Sequence, residues 1–149
     1  MFKSILAALD GSKHSKRAAV VATDPAQRYK LRLQFISVTK KIPARMSEDL
    51  RHYMEVEHLT GTPGKLVSEV VERVLADAAN HARKKGVKEV RTIVQTGPVA
   101  RTIIAAAKRQ KADLIVIGSR GLGDMESFLL GSVSHKVISL AHSNVITVR

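Results

Sequence analysis

Between Gly118 and Ser132 the chain reads Gly-Ser-Arg-Gly-Leu-Gly-Asp-Met-Glu-Ser-Phe-Leu-Leu-Gly-Ser, the stretch richest in residues suited to holding a ligand. Glycines let a backbone approach a phosphate closely and turn its N–H groups inward, forming an anion-binding nest. The stretch leaves an apolar run and finishes where a helical pattern begins, and a helix N-terminus adds unpaired donors and partial positive charge. Ser132 can add a hydroxyl there and Arg120 a cation, so a di- or triphosphate tail fits. The same residues also read as a plain glycine-rich turn from strand to helix. Residue types alone leave the two readings level.

Other reactive side chains are placed less tellingly. Asp10 ends the first apolar run, where it could meet a ligand or serve as a turn residue before Ser12. His14, His52, His58, His81, His135 and His142 form no metal-ligand spacing and read as surface or partner-contact residues. Ser12, Ser119, Ser127 and Ser134 have no evident His/Asp partners for a nucleophilic triad. Asp124 and Glu126 could orient water at a phosphate but read more simply as solvated loop charges. No side chain stands out as a general base, so any nucleotide hydrolysis should be slow. With no cysteine in the chain, disulfides, thiolate metal sites and cysteine nucleophiles are excluded, which fits a reducing compartment. Neither a G-x-x-x-x-G-K-[ST] loop nor a G-x-G-x-x-G after the first strand is present.

These residues sit in an ordinary globular composition, 44% apolar and 26% charged over 149 residues, which predicts one folded domain spanning 1–149. The opening apolar run is too short for a signal-peptide core or a membrane span, so a cytoplasmic protein with no membrane partner is expected. A formal charge of +12 favours anionic partners. Aromatics at 3%, without Trp, argue against base-stacking platforms, so a nucleic-acid role is not expected.

Strand-like runs alternate with helical patterns. Ile5 to Leu9 is continuously apolar, as suits a strand covered on both faces. Ser12 can cap a helix through Ala18 to Val21, with a kink or restart expected near Thr23–Pro25. A second strand reads Leu31 to Val38. Residues 39–64 read as a surface excursion with a short helix from Ser47 to about His58. Leu66 to Ala82 carries a clean i, i+3, i+4 apolar stripe, closed by Arg83-Lys84-Lys85 and Gly86. Strands then read Val90 to Val94, Asp113 to Gly118 and Val145 to Val148, with helices from Pro98 to Ala107 and about Ser132 to Ala141. Strict alternation predicts an α/β fold: an open, doubly wound, five-stranded parallel sheet with helices on both faces, Rossmann-like.

The spacing G-x2-G-x9-G-[ST], met by Gly118, Gly121, Gly131 and Ser132, resembles the ATP-binding signature of the universal stress protein family. Ile5-Leu-Ala-Ala-Leu-Asp-Gly-Ser12, Asp113-Leu-Ile-Val-Ile-Gly-Ser-Arg-Gly121 and Asn144-Val-Ile-Thr-Val148 resemble that family in order, so the likeness spans the chain. It implies an ATP-binding member, a nucleotide-dependent regulatory module of the stress response, with an adenine nucleotide and Mg2+ as its cofactors. Carried over, Asp10 lies near the nucleotide and its metal, Ala8 (often proline in the family) and Val38 near adenine, and Gly97 after the third strand. The glycine stretch with Arg120 holds the phosphates. Family members pair as homodimers through the last strand, which would also cover an apolar edge. Nucleotide binding would order the 118–131 loop and change the surface offered to a regulatory protein partner. The rivals are an ATP hydrolase or nucleotidyl-transfer enzyme of the same architecture, and a basic nucleic-acid-associated protein without nucleotide binding. Asp10-Gly-Ser-Lys-His-Ser15 lacks the Ser-Gly-Gly-x-Asp-Ser loop of relatives that cleave ATP to AMP.

Overall fold

The first apolar run becomes the centre of the molecule. In the computed structural model, which describes residues 1–40, 52, 55–56, 63–122 and 130–149, strand β1 (Ser4–Ala8) is buried at every position. It pairs in parallel with β2 (Arg32–Thr39) on one side and β4 (Leu114–Gly118) on the other. Strands β3 (Val90–Thr96) and β5 (Asn144–Val148) complete a five-stranded parallel sheet ordered β3-β2-β1-β4-β5. The doubly wound sheet expected from the alternation is therefore the one formed.

Helices cover both faces because strand residues alternate between them. Ile5, Ala7, Leu33, Phe35, Leu114 and Val116 pack under α1 (Lys13–Arg28) and α2 (Pro63–Lys84). Leu6, Ala8, Ile36, Ile115 and Ile117 pack under α3 (Val99–Arg109) and α4 (Ser132–Leu140). The helices meet the sheet largely through alanines: Ala18, Ala19, Ala22 and Ala26 on α1, and Ala100, Ala106 and Ala107 on α3.

Local chemistry sets the element ends. The Ser12 Oγ accepts a hydrogen bond from the Ser15 N–H at 3.2 Å, capping α1 as expected. Below the sheet, the Asp113 carboxylate accepts from the N–H groups of Lys3 at 2.7 Å and Ser4 at 3.0 Å, fixing the start of β1 against β4. Gly86, at φ 94°, closes the turn after α2 in the left-handed region.

Two expectations are corrected. No restart occurs at Pro25: α1 runs unbroken from Lys13 to Arg28. Proline removes only the bond to the carbonyl of Val21, which lies on an exposed face of the helix where water can replace it. The long helix begins at Pro63, inside the stretch read as an excursion over 39–64, because proline is well suited to a first turn whose N–H groups are unpaired anyway. Of the short helix expected over 47–58, only residues 52 and 55–56 are described, and these are helical; the rest of that expectation lies outside the described residues.

Candidate functional site

A cleft opens where the chain order reverses across β1. Strands β2 and β3 lie on one side of β1, β4 and β5 on the other, so the connections leaving β1 and β4 diverge at their carboxyl ends. The cleft holds about 480 Å³ between its walls, part of it open to solvent. Its floor comes from Ala8 and Asp10 at the end of β1 and Ile117 and Gly118 at the end of β4. Ile36 and Val38 of β2 form one side with Val99 and Ile103 of α3; Arg120, Gly121, Val133 and Ser134 form the other. One part is thus an apolar slot, and the other carries the polar groups of Asp10, Arg120 and Ser134.

The polar part is organised by Asp10. One carboxylate oxygen accepts from the Ser12 N–H at 2.9 Å and the other from the Leu122 N–H at 3.2 Å. Asp10 is exposed, so it joins the first turn to the glycine segment while remaining reachable from solvent. Asp10 is thus a turn residue, and it also lines the cleft. Among the described residues no group of three or more His, Asp or Glu side chains could hold a metal, and Asp10 is the carboxylate lining this cleft.

The start of α4 is fastened to the end of β4. The Gly131 N–H donates to the Ser119 carbonyl at 2.6 Å, and the Ser134 hydroxyl donates to the same carbonyl at 2.8 Å. Gly118 has a packing reason to be glycine. A Cβ there would lie 2.8 Å from backbone and Cβ atoms of His14 and from the Ser15 nitrogen, so β4 can approach the start of α1 only without a side chain. His14 is half-buried, and its Nδ1 is hydrogen-bonded to the Ser119 hydroxyl at 2.8 Å, an exception to the surface reading of the histidines. Ser119 is buried and does not line the cleft, so the pair ties α1 to β4 and does not present a nucleophile.

Ala8, Asp10, Val38, Gly118, Arg120 and Gly121 come together in the cleft. Gly97, Gly131 and Ser132 stand outside its lining. Gly97 follows β3, with its N–H on the Thr39 carbonyl at 3.0 Å, and Gly131 is the N-cap of α4. Asp124, Glu126 and Ser127 lie outside the described residues. Sequence reading did not single out Ile36, Val99, Ile103, Ile117 and Val133, which line the cleft. A usable signal existed: Ile36 shares the face of Val38 two residues earlier, and Ile117 precedes Gly118 at the end of a strand.

Comparison with known proteins agrees with this geometry. All 149 residues, 1–149, match the profile of the Universal stress protein family. A universal stress protein of Thermus aquaticus, encoded in the QAH/OAS sulfhydrylase 3' region, is 38% identical over 149 residues, covering 100% of both chains. The solved universal stress protein UspA from Lactobacillus plantarum superposes with a TM-score of 0.80 at 22% identity, covering 99% of this chain and 98% of that one. A universal stress protein solved in complex with cAMP superposes with a TM-score of 0.71 at 22% identity, covering 99% and 97%. The fold is an open α/β sheet with a cleft at its switch point, and this chain belongs to the universal stress protein family.

Proposed function

We propose that the cleft binds an adenine nucleotide, ATP with Mg2+, and that the chain acts as a nucleotide-dependent regulatory module of the stress response. The observation that carries this reading is the meeting, at one end of the sheet, of an apolar slot and the polar groups of Asp10, Arg120, Gly121 and Ser134. The slot between Ile36, Val38, Val99 and Ile103 suits a flat aromatic base, and burying a base there draws on the hydrophobic effect. The backbone around Gly121, with Arg120, suits the phosphates, and Asp10 offers the hard oxygen ligand that Mg2+ prefers alongside them. The cAMP complex of a structural relative is consistent with an adenine ligand.

In this reading the Asp10 carboxylate couples occupancy to backbone. The Leu122 N–H already donates to that carboxylate, so a nucleotide with Mg2+ drawing on Asp10 would order the glycine segment around it. The surface changed by that ordering would be read by a regulatory protein partner, with slow hydrolysis at most. Two copies pair through β5, whose Ile146 is 41% exposed on an edge strand; a sedimentation mass twice that of the chain checks the pairing.

The deciding experiment is calorimetric titration of the purified chain with ATP–Mg2+, alongside assay of nucleotide released on denaturation. Micromolar binding to the wild type, lost by at least a hundredfold in Gly121→Asp, is the expected outcome. Gly121 lines the cleft, and a carboxylate there would repel phosphate. Absence of both retained and titrated nucleotide overturns the reading.

A further inference from the structure

In an all-parallel sheet every strand begins, and every covering helix ends, on the same side of the molecule, opposite the cleft. Here those turns carry a concentration of cations. The α1–β2 connection presents Arg28, Lys30 and Arg32, the α2–β3 connection Lys84, Lys85 and Lys88, and the α3–β4 connection Lys108 and Lys111; Lys3 stands ahead of β1. All are exposed except the half-buried Arg32. The backbone brings them together: the Arg32 N–H donates to the Lys3 carbonyl at 3.1 Å and the Leu33 N–H to the Glu89 carbonyl at 2.9 Å. The carboxylates at these turns are Glu89 and Asp113, and Asp113 is engaged by the backbone of Lys3 and Ser4.

Favourable placement of cations at helix C-termini accounts for the residues in the last helical turns, Arg28, Lys84 and Lys108. It does not account for Lys3, Arg32 and Lys88, which belong to the strand side of the turns. Nor does it account for Lys30 at φ 55° and Lys111 at φ 51°. These follow α1 and α3 in the left-handed region, where a side chain is strained and glycine or asparagine is usual; the matching turn after α2 has Gly86 there. Lysine thus stands at two positions where the backbone conformation favours glycine. The exposed aromatics Tyr29 (66%) and Phe2 (43%) lie beside Lys30 and Lys3 in the chain, on this same end of the sheet.

We propose that this end of the molecule is a peripheral docking surface for an anionic lipid bilayer. Cations from three separate connections and the start of the chain, spread across neighbouring strands rather than along one helix or groove, suit an extended layer of headgroups better than the single line of a duplex backbone. Lysine and arginine are attracted to anionic headgroups, and exposed Tyr and Phe sit well at headgroup level. The attachment is superficial: no helix among the described residues is long and apolar enough to cross a membrane.

The test is co-sedimentation of the full chain with vesicles of phosphatidylcholine alone, or with about one-third phosphatidylglycerol, in parallel with binding to duplex DNA. Binding to the anionic vesicles only, weakening severalfold between ~50 and ~200 mM salt, is expected. Lys30→Gly with Lys111→Gly should weaken that binding by about fivefold per lysine while raising the melting temperature, so unfolding cannot explain the loss. Tyr29→Ala should weaken vesicle binding and leave duplex binding unchanged. Equal binding to neutral vesicles, no vesicle binding, vesicle binding insensitive to Tyr29→Ala, or duplex binding tighter than vesicle binding would overturn the proposal, the last in favour of nucleic acid.

Discussion

Asp113 and Asp10 show how differently two carboxylates ending or starting strands are used. The N–H group of Lys3, helped by that of Ser4, holds the Asp113 carboxyl below its usual pKa against a smaller opposing effect of burial. Its charged form is therefore favoured in the fold. That contribution is complete above the unfolded value, roughly 3.9, and disappears as pH falls through the lower folded value. Urea unfolding followed from neutral pH to below about pH 3 should show the loss, and Asp113→Asn should flatten that part of the profile. Asp10 was legible as a cleft residue from its place after an apolar run, but its hold on the Leu122 N–H was not, because the partners are 112 residues apart. Gly118 was read for its ligand, while its close contact with His14 and Ser15 is a packing demand that only the assembled fold reveals.

At the level of elements, the strands carry the bulk and the helices the small side chains. Phe35, Ile5, Leu6 and Leu33 are among the largest fully buried groups, all on β1 and β2. Against them α1 and α3 present mostly alanine. Truncating a strand residue therefore leaves a void that alanine-faced helices cannot fill by repacking. Phe35→Ala should cost about 3–5 kcal/mol in chemical denaturation. Continuous apolar runs made the strands readable, and the i, i+3, i+4 stripe made α2 readable. The course of α1 past Pro25 was not, since a proline that removes one hydrogen bond on an exposed face can be outweighed by burial of Ala22 and Ala26 on the other. The apolar slot was hidden for a similar reason: Ile36 and Ile103 obey the periodicity of core residues and become cleft walls only where neighbouring elements diverge.

For the molecule as a whole, alternation of strand and helix was enough to anticipate the parallel sheet, and the switch-point rule then placed the cleft. The gathering of cations opposite the cleft was not anticipated, because basic residues scattered along the sequence converge only when the helices end on the same side. The order β3-β2-β1-β4-β5 has a further consequence, for the time at which the protein is made. Strand β1 leaves the ribosome early, yet its β4 neighbour pairs from Ile5 with Leu114 onward. At roughly 5–20 residues per second, the central strand waits on the order of 5–20 s with one apolar edge unpaired. The nascent chain therefore carries its greatest hazard of misassociation in its most buried strand, and a chaperone acting on it would have its work concentrated in that interval.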